Sequence, residues 1–494
     1  MVAAHGVLEA FYPANMALVA LGVFVGLIMG SLPGITVTVA AVLLVSLTFG
    51  WPMIRALAML MGCFVGAVSG GLISAITLNI PGTAAAIATT FDGYPMSRRG
   101  EAGLAIGIGM VQSFIGGCIG LVALAVGAPL LSQIALKVGP LEYFLLVLWG
   151  LTLAGSLGTE SAIKGWLSGL IGFFIAMIGM DPILGTPRFT FGVQALKAGI
   201  HYIPPVIGLF GLREVIKEVI RVRSGALPEQ QKVYSVIPNL KLIRKIWWST
   251  LRWSLLGTFI GALPGTGGDV AALLAYSDAK RTVRNPSRPF GTGAWEGVAA
   301  PECANNAAVG GALIPMLTLG IPGDSVTAVI MGAFFIHGLR PGPLLMVTDP
   351  TVFPVIVAFV GIAQIFLLIQ GLLFARLISA VLNVPRWLMI PVVSMLCVVG
   401  AYVVQNHIVD IWIMVAFGFL GYLLDKVGMP VGPMVLALIL GPMADAEFRR
   451  AIALSKGAFL SYFFSRPIAV VILAAMVVGL VLQYRGKGST GRAK

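Results

Sequence analysis

Leu32-Pro33-Gly34 breaks an apolar stretch near the N-terminus, and Leu263-Pro264-Gly265 breaks another 231 positions later. Ile80-Pro81-Gly82 likewise recurs as Ile321-Pro322-Gly323, 241 positions on. The residues leading into the second pair match too, Thr77-Leu78-Asn79 against Thr318-Leu319-Gly320. Proline removes a backbone donor and clashes with the preceding turn, and the following glycine permits a sharp change of direction. Each half of the chain therefore carries two helix-breaking motifs in corresponding places. In a bilayer such paired breaks point to a binding site at the interface of two structural repeats.

That argument needs the chain to be in lipid, and composition places it there. Only 10% of residues are charged and 58% are hydrophobic, with mean hydropathy +0.98; soluble domains carry about 25% charged residues. A spanning helix needs roughly 20 apolar residues. Stretches 102–130, 141–158, 354–382, 388–404 and 463–483 approach or exceed that. The 62 glycines suit close helix packing in a membrane. The net charge of +13 is not a nucleic-acid signature, because the bases gather between the halves and in the tail. Arg221, Arg223, Lys232, Lys241, Arg244, Lys245 and Arg252 mark the first as cytoplasmic, and Arg485, Lys487, Arg492 and Lys494 mark the second. Cys63, Cys118, Cys303 and Cys397 form no CxxC and read as free thiols. No basic segment precedes the first apolar run, so the first spanning helix, rather than a cleaved signal peptide, is expected to direct insertion.

The expected fold is an all-α polytopic membrane protein of two repeats. Repeat one covers 16–220, a basic cytoplasmic linker 221–248, repeat two 249–446, and an extra transmembrane helix 463–483 follows. Within each repeat an apolar helix meets LPG, a short helix follows, a Gly-rich helix meets IPG, and further spans complete the unit. Inverted topology is the arrangement that this motif pairing suggests.

After each break a new helix starts, and its free N–H groups can face an anion. The candidates are Gly34 with Thr36, Gly82 with Thr83, Gly265 with Thr266, and Gly323 with Ser325; the four hydroxyls are expected to add donors. One helix terminus contributes about 0.3–1 kcal/mol to a nearby anion, whereas removing a carboxylate from water costs several kcal/mol. Bound cations are the natural supplement, which favours cation symport over a bare anion pore. The competing reading makes these motifs ordinary kinks or loop turns.

A second constellation is Glu296 to Asn306, ahead of a Gly-rich helix expected over 307–320. Asn305 and Asn306 are adjacent amides in an apolar run, costly unless paired. They suit a carboxylate through NH2 groups or a cation through carbonyls. The plainer reading is a helix start with Pro301 and Glu302 in its first turn. Asn79 is a candidate on similar grounds, with a helix C-cap as its alternative. Asp269 and Asp324 follow breaks in repeat two alone. An acid there would repel an anion, so they are read as cation-coupling candidates, with N-capping as the alternative. Asp92 reads as a turn residue at the membrane surface, and Arg98 and Arg99 as topology determinants.

At these residues the chain resembles the large membrane subunit of the tripartite tricarboxylate transporter family. The resemblance rests on Gly30-Ser31-Leu32-Pro33-Gly34, Leu78 to Thr83, Phe91-Asp92-Gly93-Tyr94-Pro95, Gly261 to Gly265, Ala300 to Ala307 and Leu319 to Gly323, and spans nearly the whole chain. It implies import of organic carboxylates, tricarboxylates such as citrate among them, across a bacterial inner membrane. It implies two partners, a small four-helix membrane subunit and a periplasmic solute-binding protein. It also implies an ion gradient as the driving force, with sodium or protons coupled and no cofactor. The absence of a Walker A sequence agrees with gradient coupling.

Two rival functions remain at this stage. A stand-alone carrier or channel is hardly separable by sequence. An intramembrane enzyme finds little support: no HExxH is present, Thr266-Gly267-Gly268-Asp269 misses GxGD, and Ala67-Val68-Ser69-Gly70 misses GxSG.

Overall fold

The computed structural model describes residues 2–490 apart from Gly34, 157–160, 182–184, 223–230, Ser235, 237–243, 383–385 and Val404. Gly34 and most of the expected linker therefore lie outside the described residues.

The described chain is helical almost throughout. Helix α1 (Val2–Ala10) leads into α2 (Pro13–Ser31), whose proline sits in the first turn, where a missing N–H costs nothing. The Leu32-Pro33 break ends α2, and α3 (Val37–Leu47) begins at Thr36, whose Oγ1 accepts from Val39 N–H at 3.2 Å. Helix α4 (Met53–Leu78) stops at Asn79, which takes the left-handed conformation with φ 57°. After the Ile80-Pro81-Gly82 break a short 3₁₀ turn (Ala84–Ala86) runs directly into α5 (Ile87–Ser97). Then come α6 (Ala102–Ala135), α7 (Pro140–Ser156), α8 (Ala162–Ala176) and an antiparallel ribbon of β1 (Gly179–Met180) with β2 (Pro187–Arg188). Short helices α9 (Gln194–Lys197) and α10 (Ile203–Val206) precede a π-helical segment (Ile207–Leu212), which passes into α11 (Arg213–Val222).

The second half opens with α12 (Trp247–Gly261), which meets the Leu263-Pro264-Gly265 break, and α13 (Gly267–Thr282) follows. Helix α14 (Trp295–Leu319) ends at Gly320 with φ 65°, the same left-handed cap as Asn79. After Ile321-Pro322-Gly323 comes α15 (Ser325–Ile336). The remainder is α16 (Leu345–Thr348), α17 (Val352–Leu373), α18 (Ala375–Val381), α19 (Arg386–Val403), α20 (Ile408–Lys426), α21 (Gly432–Leu454), α22 (Phe459–Phe464) and α23 (Pro467–Thr490).

Among the described residues five helices, α2, α4, α6, α17 and α20, are long and apolar enough to cross a bilayer. Shorter apolar helices, including α3 and α15 after the breaks, accompany them. This is a multi-pass membrane protein.

Glycine sets how closely the central helices approach. Along α2, a Cβ on Gly22, Gly26 or Gly30 would run into the backbone of Met59, Cys63 or Ala67 on α4; Gly62, Gly66 and Gly70 meet Val19, Val23 and Leu27 in return. The i, i+4 spacing lines each set on one helix face. In the second half Gly257 and Gly261 of α12 lie against Ala304 and Ala308 of α14 in the same way. Lipid tails offer no hydrophobic drive between helices, so this backbone contact supplies the packing.

Two local expectations need correction. The Glu296–Asn306 stretch does not precede a helix; it lies inside α14, with Pro301 as an internal proline. The helix is held by packing on all sides, and nearly all of its residues are buried. Asp92 is no surface turn residue either. It is fully buried within α5, and its Oδ1 accepts from the N–H groups of Gly291, Gly293 and Ala294 at 2.9, 2.7 and 2.7 Å. Tyr276 O–H donates to its Oδ2 at 2.9 Å. One carboxylate thus fixes the loop between α13 and α14 onto the first half. Arg99 adds a bond to the Thr292 carbonyl, and Arg288 grips Glu101 through two nitrogens at 2.5 and 2.7 Å. The Asp92→Ala variant is expected to lose at least ~3 kcal/mol of stability, since hydrogen bonds to charged groups contribute roughly 1.5–3 kcal/mol each. Thermal unfolding in detergent reads this directly, and an unchanged midpoint would dismiss the clamp.

Candidate functional site

The sequence motifs predict where helices must stop, and the structure shows what the stops surround. The start of α3, the 3₁₀ turn before α5, the start of α13 and the start of α15 all border one cavity of about 220 Å³. Thr36, Val37 and Thr38 come from the first break, Thr83 to Ala85 from the second, Gly265 to Asp269 from the third, and Asp324 to Val326 from the fourth. Phe64 and Val68 of α4, Asn305 of α14, and Phe210 and Arg213 at the junction of the π segment with α11 close the wall. Irregular backbone at membrane depth is tolerated where it lines such a cavity.

Of the candidates, Thr36, Thr83, Gly265, Thr266, Asp269, Asn305, Asp324 and Ser325 come together here. Thr83 is buried and its Oγ1 has no hydrogen-bond partner among the described residues. Thr36 Oγ1 accepts from Val39 N–H as the N-cap of α3, which leaves its proton to give. Thr266 is different. Its hydroxyl donates to the backbone carbonyls of Ile260 and Leu263, so it closes the turn instead of offering a donor. Gly265 and Gly267 hold φ of 77° and 66°, which a side chain rarely adopts.

Asn305 bridges the halves. Its Nδ2 donates to the Val68 carbonyl of α4 at 3.3 Å, and its Oδ1 lies against Gly268, where any Cβ would overlap it. Asp269 accepts from the Ala85 backbone N–H, tying the third break to the second. Asp324 forms a capping box on α15: its Oδ1 accepts from Thr327 N–H and Oγ1–H, both at 2.7 Å, and Thr327 Oγ1 accepts from Asp324 N–H at 2.9 Å. The same residue lines the cavity, with Oδ2 on the side of Gly267. The cap and the cavity wall are therefore one carboxylate. Serine at 324 keeps a cap and removes the charge, whereas alanine removes both, at about 1 kcal/mol for the cap. Asp324→Ser is expected to unfold at a near-normal midpoint and Asp324→Ala earlier, and equal midpoints in the two would show that the cap contributes nothing.

Four candidates lie elsewhere. Asn79 is an exposed left-handed C-cap of α4. Gly82 packs on the Gly30 carbonyl, and Gly323 on the Gly261 carbonyl. Asn306 faces away from its neighbour, as adjacent residues on a helix stand about 100° apart. Its Oδ1 accepts from Ser69 Oγ at 2.7 Å and its Nδ2 donates to the Glu302 carbonyl at 3.0 Å. Nearby, Glu302 accepts from Thr89 at 2.5 Å and Ser113 at 3.2 Å. Arg213 is the charged cavity residue that the sequence reading missed. It follows the apolar run Ile207–Leu212, and a charge so placed in a membrane segment is the signal that could have found it.

A sequence model described as the tripartite tricarboxylate transporter TctA family matches residues 16–436, nearly all of the region that builds the cavity and its supports. The chain belongs to that family. Membership of the TctA family implies a role in transport, as a subunit of a tripartite tricarboxylate transporter. Among similar proteins is an uncharacterized 52.8 kDa protein in the TAR-I ttuC' 3' region of Agrobacterium vitis, 35% identical over 482 residues, covering 97% of this chain and 95% of that one. Another is an uncharacterized protein in the TAR-II ttuC' 3' region of the same organism, 38% identical over 226 residues, 46% of this chain and 93% of that one. No solved structure matches the chain. Tripartite transporters work through several subunits, so this TctA-family chain is one component of an assembly.

Proposed function

We propose that the chain is the large membrane subunit of a binding-protein-dependent secondary transporter that imports organic carboxylates by cation symport. The observation that carries this reading is the meeting of helix starts from both halves around one polar cavity. Thr36, Thr83, the backbone of Gly265 and Thr266, Asn305 and Ser325 would receive the carboxylate. Asp269 and Asp324 would hold the coupling cation, sodium or a proton. The charges support the pairing: two carboxylates face one guanidinium among the described cavity residues, so a further anion would enter only with cations beside it.

The two-repeat reading, 16–220 and 249–446 around a basic linker with 463–483 as an added helix, draws support from equivalent packing. Gly82 rests on Gly30 and Gly323 on Gly261, pairs separated by the same offsets as the motifs themselves. In this reading the repeats are inverted, the linker is cytoplasmic and the membrane is the bacterial inner membrane. A small four-helix membrane subunit and a periplasmic solute-binding protein complete the system.

Uptake of labelled citrate into membrane vesicles carrying the three subunits tests the proposal. Accumulation against a gradient, lost when sodium and proton gradients are both collapsed, is the expected result. Equilibration without accumulation would replace the symporter with a channel, and uptake without the soluble protein would replace it with a carrier acting alone.

A further inference from the structure

We infer that Arg213 is the fixed counter-charge that receives one carboxylate of the solute and commits the cavity to anions bearing more than one. This inference rests on the carboxylate-import reading above. Arg213 is the single basic side chain among the described residues lining the cavity. It is 12% exposed, and its Nε is buried without a hydrogen-bond partner among the described residues. Its ion pairs are loose: the nearest approaches are 3.7 Å to Glu214 and 3.8 Å to Asp425, beyond hydrogen-bond distance. Lys217 competes for both acids and holds Asp425 at 2.8 Å, with Glu214 at 3.8 Å.

The arrangement allows an exchange of partners. Lys217 keeps its hold on Asp425 and stays beside Glu214 while the guanidinium turns its unused donors to an incoming carboxylate. A guanidinium binds a carboxylate through two parallel N–H···O bonds, which an ammonium does not reproduce. The π-helical segment Ile207–Leu212 sets the direction of Arg213, since it ends at the residue before it; such insertions recur at functional sites. The starts of α3 and α15, with Thr36 and Ser325, line the same cavity. A second carboxylate of the same solute has those N–H groups to meet, whereas a monocarboxylate can satisfy only one end.

The test is binding to the purified full-length chain in detergent with sodium present, read as thermal stabilisation by citrate, succinate and acetate. The parent is expected to be stabilised by citrate and succinate at concentrations where acetate has no effect. Arg213→Gln is expected to weaken citrate binding at least about tenfold, the loss of a charged hydrogen-bonded contact, and to erase the preference over acetate. Arg213→Lys is expected to fall between the two. Glu214→Gln, which leaves the arginine in place and removes a competitor, is expected to bind citrate at least as tightly as the parent. It guards the test against an Arg213→Gln variant that fails to fold: weaker citrate binding in Glu214→Gln would overturn the exchange. If the parent binds none of the three, the carboxylate reading and this inference fall together. If the parent binds citrate and a folded Arg213→Gln binds it equally well, the inference alone is overturned.

Discussion

Valine in place of Gly323 is expected to leave little folded protein, and valine at Gly82 is expected to do nearly the same. A Cβ at Gly323 would lie 2.5 Å from the Gly261 carbonyl and 2.6 Å from Ala312 Cα. At Gly82 it would overlap the Gly30 carbonyl and come within 2.7 Å of Ser74 Oγ and 3.0 Å of Gly71 Cα. These obstacles are mainly backbone, so no rotamer change relieves them. Overpacking usually costs about 1–3 kcal/mol; with two helices forced apart, the loss should reach or exceed the upper end. The right comparison is Gly127, where a Cβ would touch only Ile314 Cδ1 at 3.4 Å. Gly117 looks suitable by sequence, but a Cβ there overlaps the Gln364 side chain. Size-exclusion profiles and unfolding midpoints should separate Gly323→Val from Gly127→Val. Similar profiles would mean that these breaks tolerate bulk and are not closely packed junctions.

The adjacent asparagines are expected to separate function from stability. Asn305→Ala should reduce uptake at least about tenfold, the equivalent of one charged hydrogen bond, with the fold retained. Its amide makes one long bond, 3.3 Å to a helix carbonyl, and it borders the cavity. Asn306→Ala should do the reverse. It strips Ser69 of a 2.7 Å acceptor in a fully buried place, which costs about 1–3 kcal/mol, and Asn306 does not line the cavity. Uptake kinetics and thermal unfolding on the same two proteins decide the matter. A kinetic defect in Asn306→Ala at unchanged stability, with Asn305→Ala normal, would reverse their roles.

The pair also shows how far sequence reasoning reaches. Two amides in an apolar run announce that something must satisfy them, but the side each faces is set by helix phase and by which neighbours pack there. Pro301 resembles a first-turn residue, so by sequence the run reads as the approach to a helix; burial on every side lets α14 continue through it. The breaks were legible because proline and glycine act locally, and Thr36, Thr83, Thr266 and Ser325 follow them within a few residues. Asn79 was equally local, but its left-handed geometry serves the end of α4 alone. The Asp92 clamp was not legible, since it depends on contacts between segments distant in the chain. Arg213 follows an apolar run, a local signal of charge in a membrane segment, but its place on the cavity wall depends on packing.

Cysteine protection probes the site most directly. In a chain whose four native cysteines are replaced by serine, single cysteines at Thr36, Thr83 and Ser325 would be exposed to a hydrophilic maleimide with and without citrate, with Leu344 of a separate surface hollow as reference. All three cavity positions should react, and citrate should slow each of them while leaving position 344 unaffected. Cavity positions that stay inert, or that react equally with and without citrate, would contradict a carboxylate site built where the two halves break.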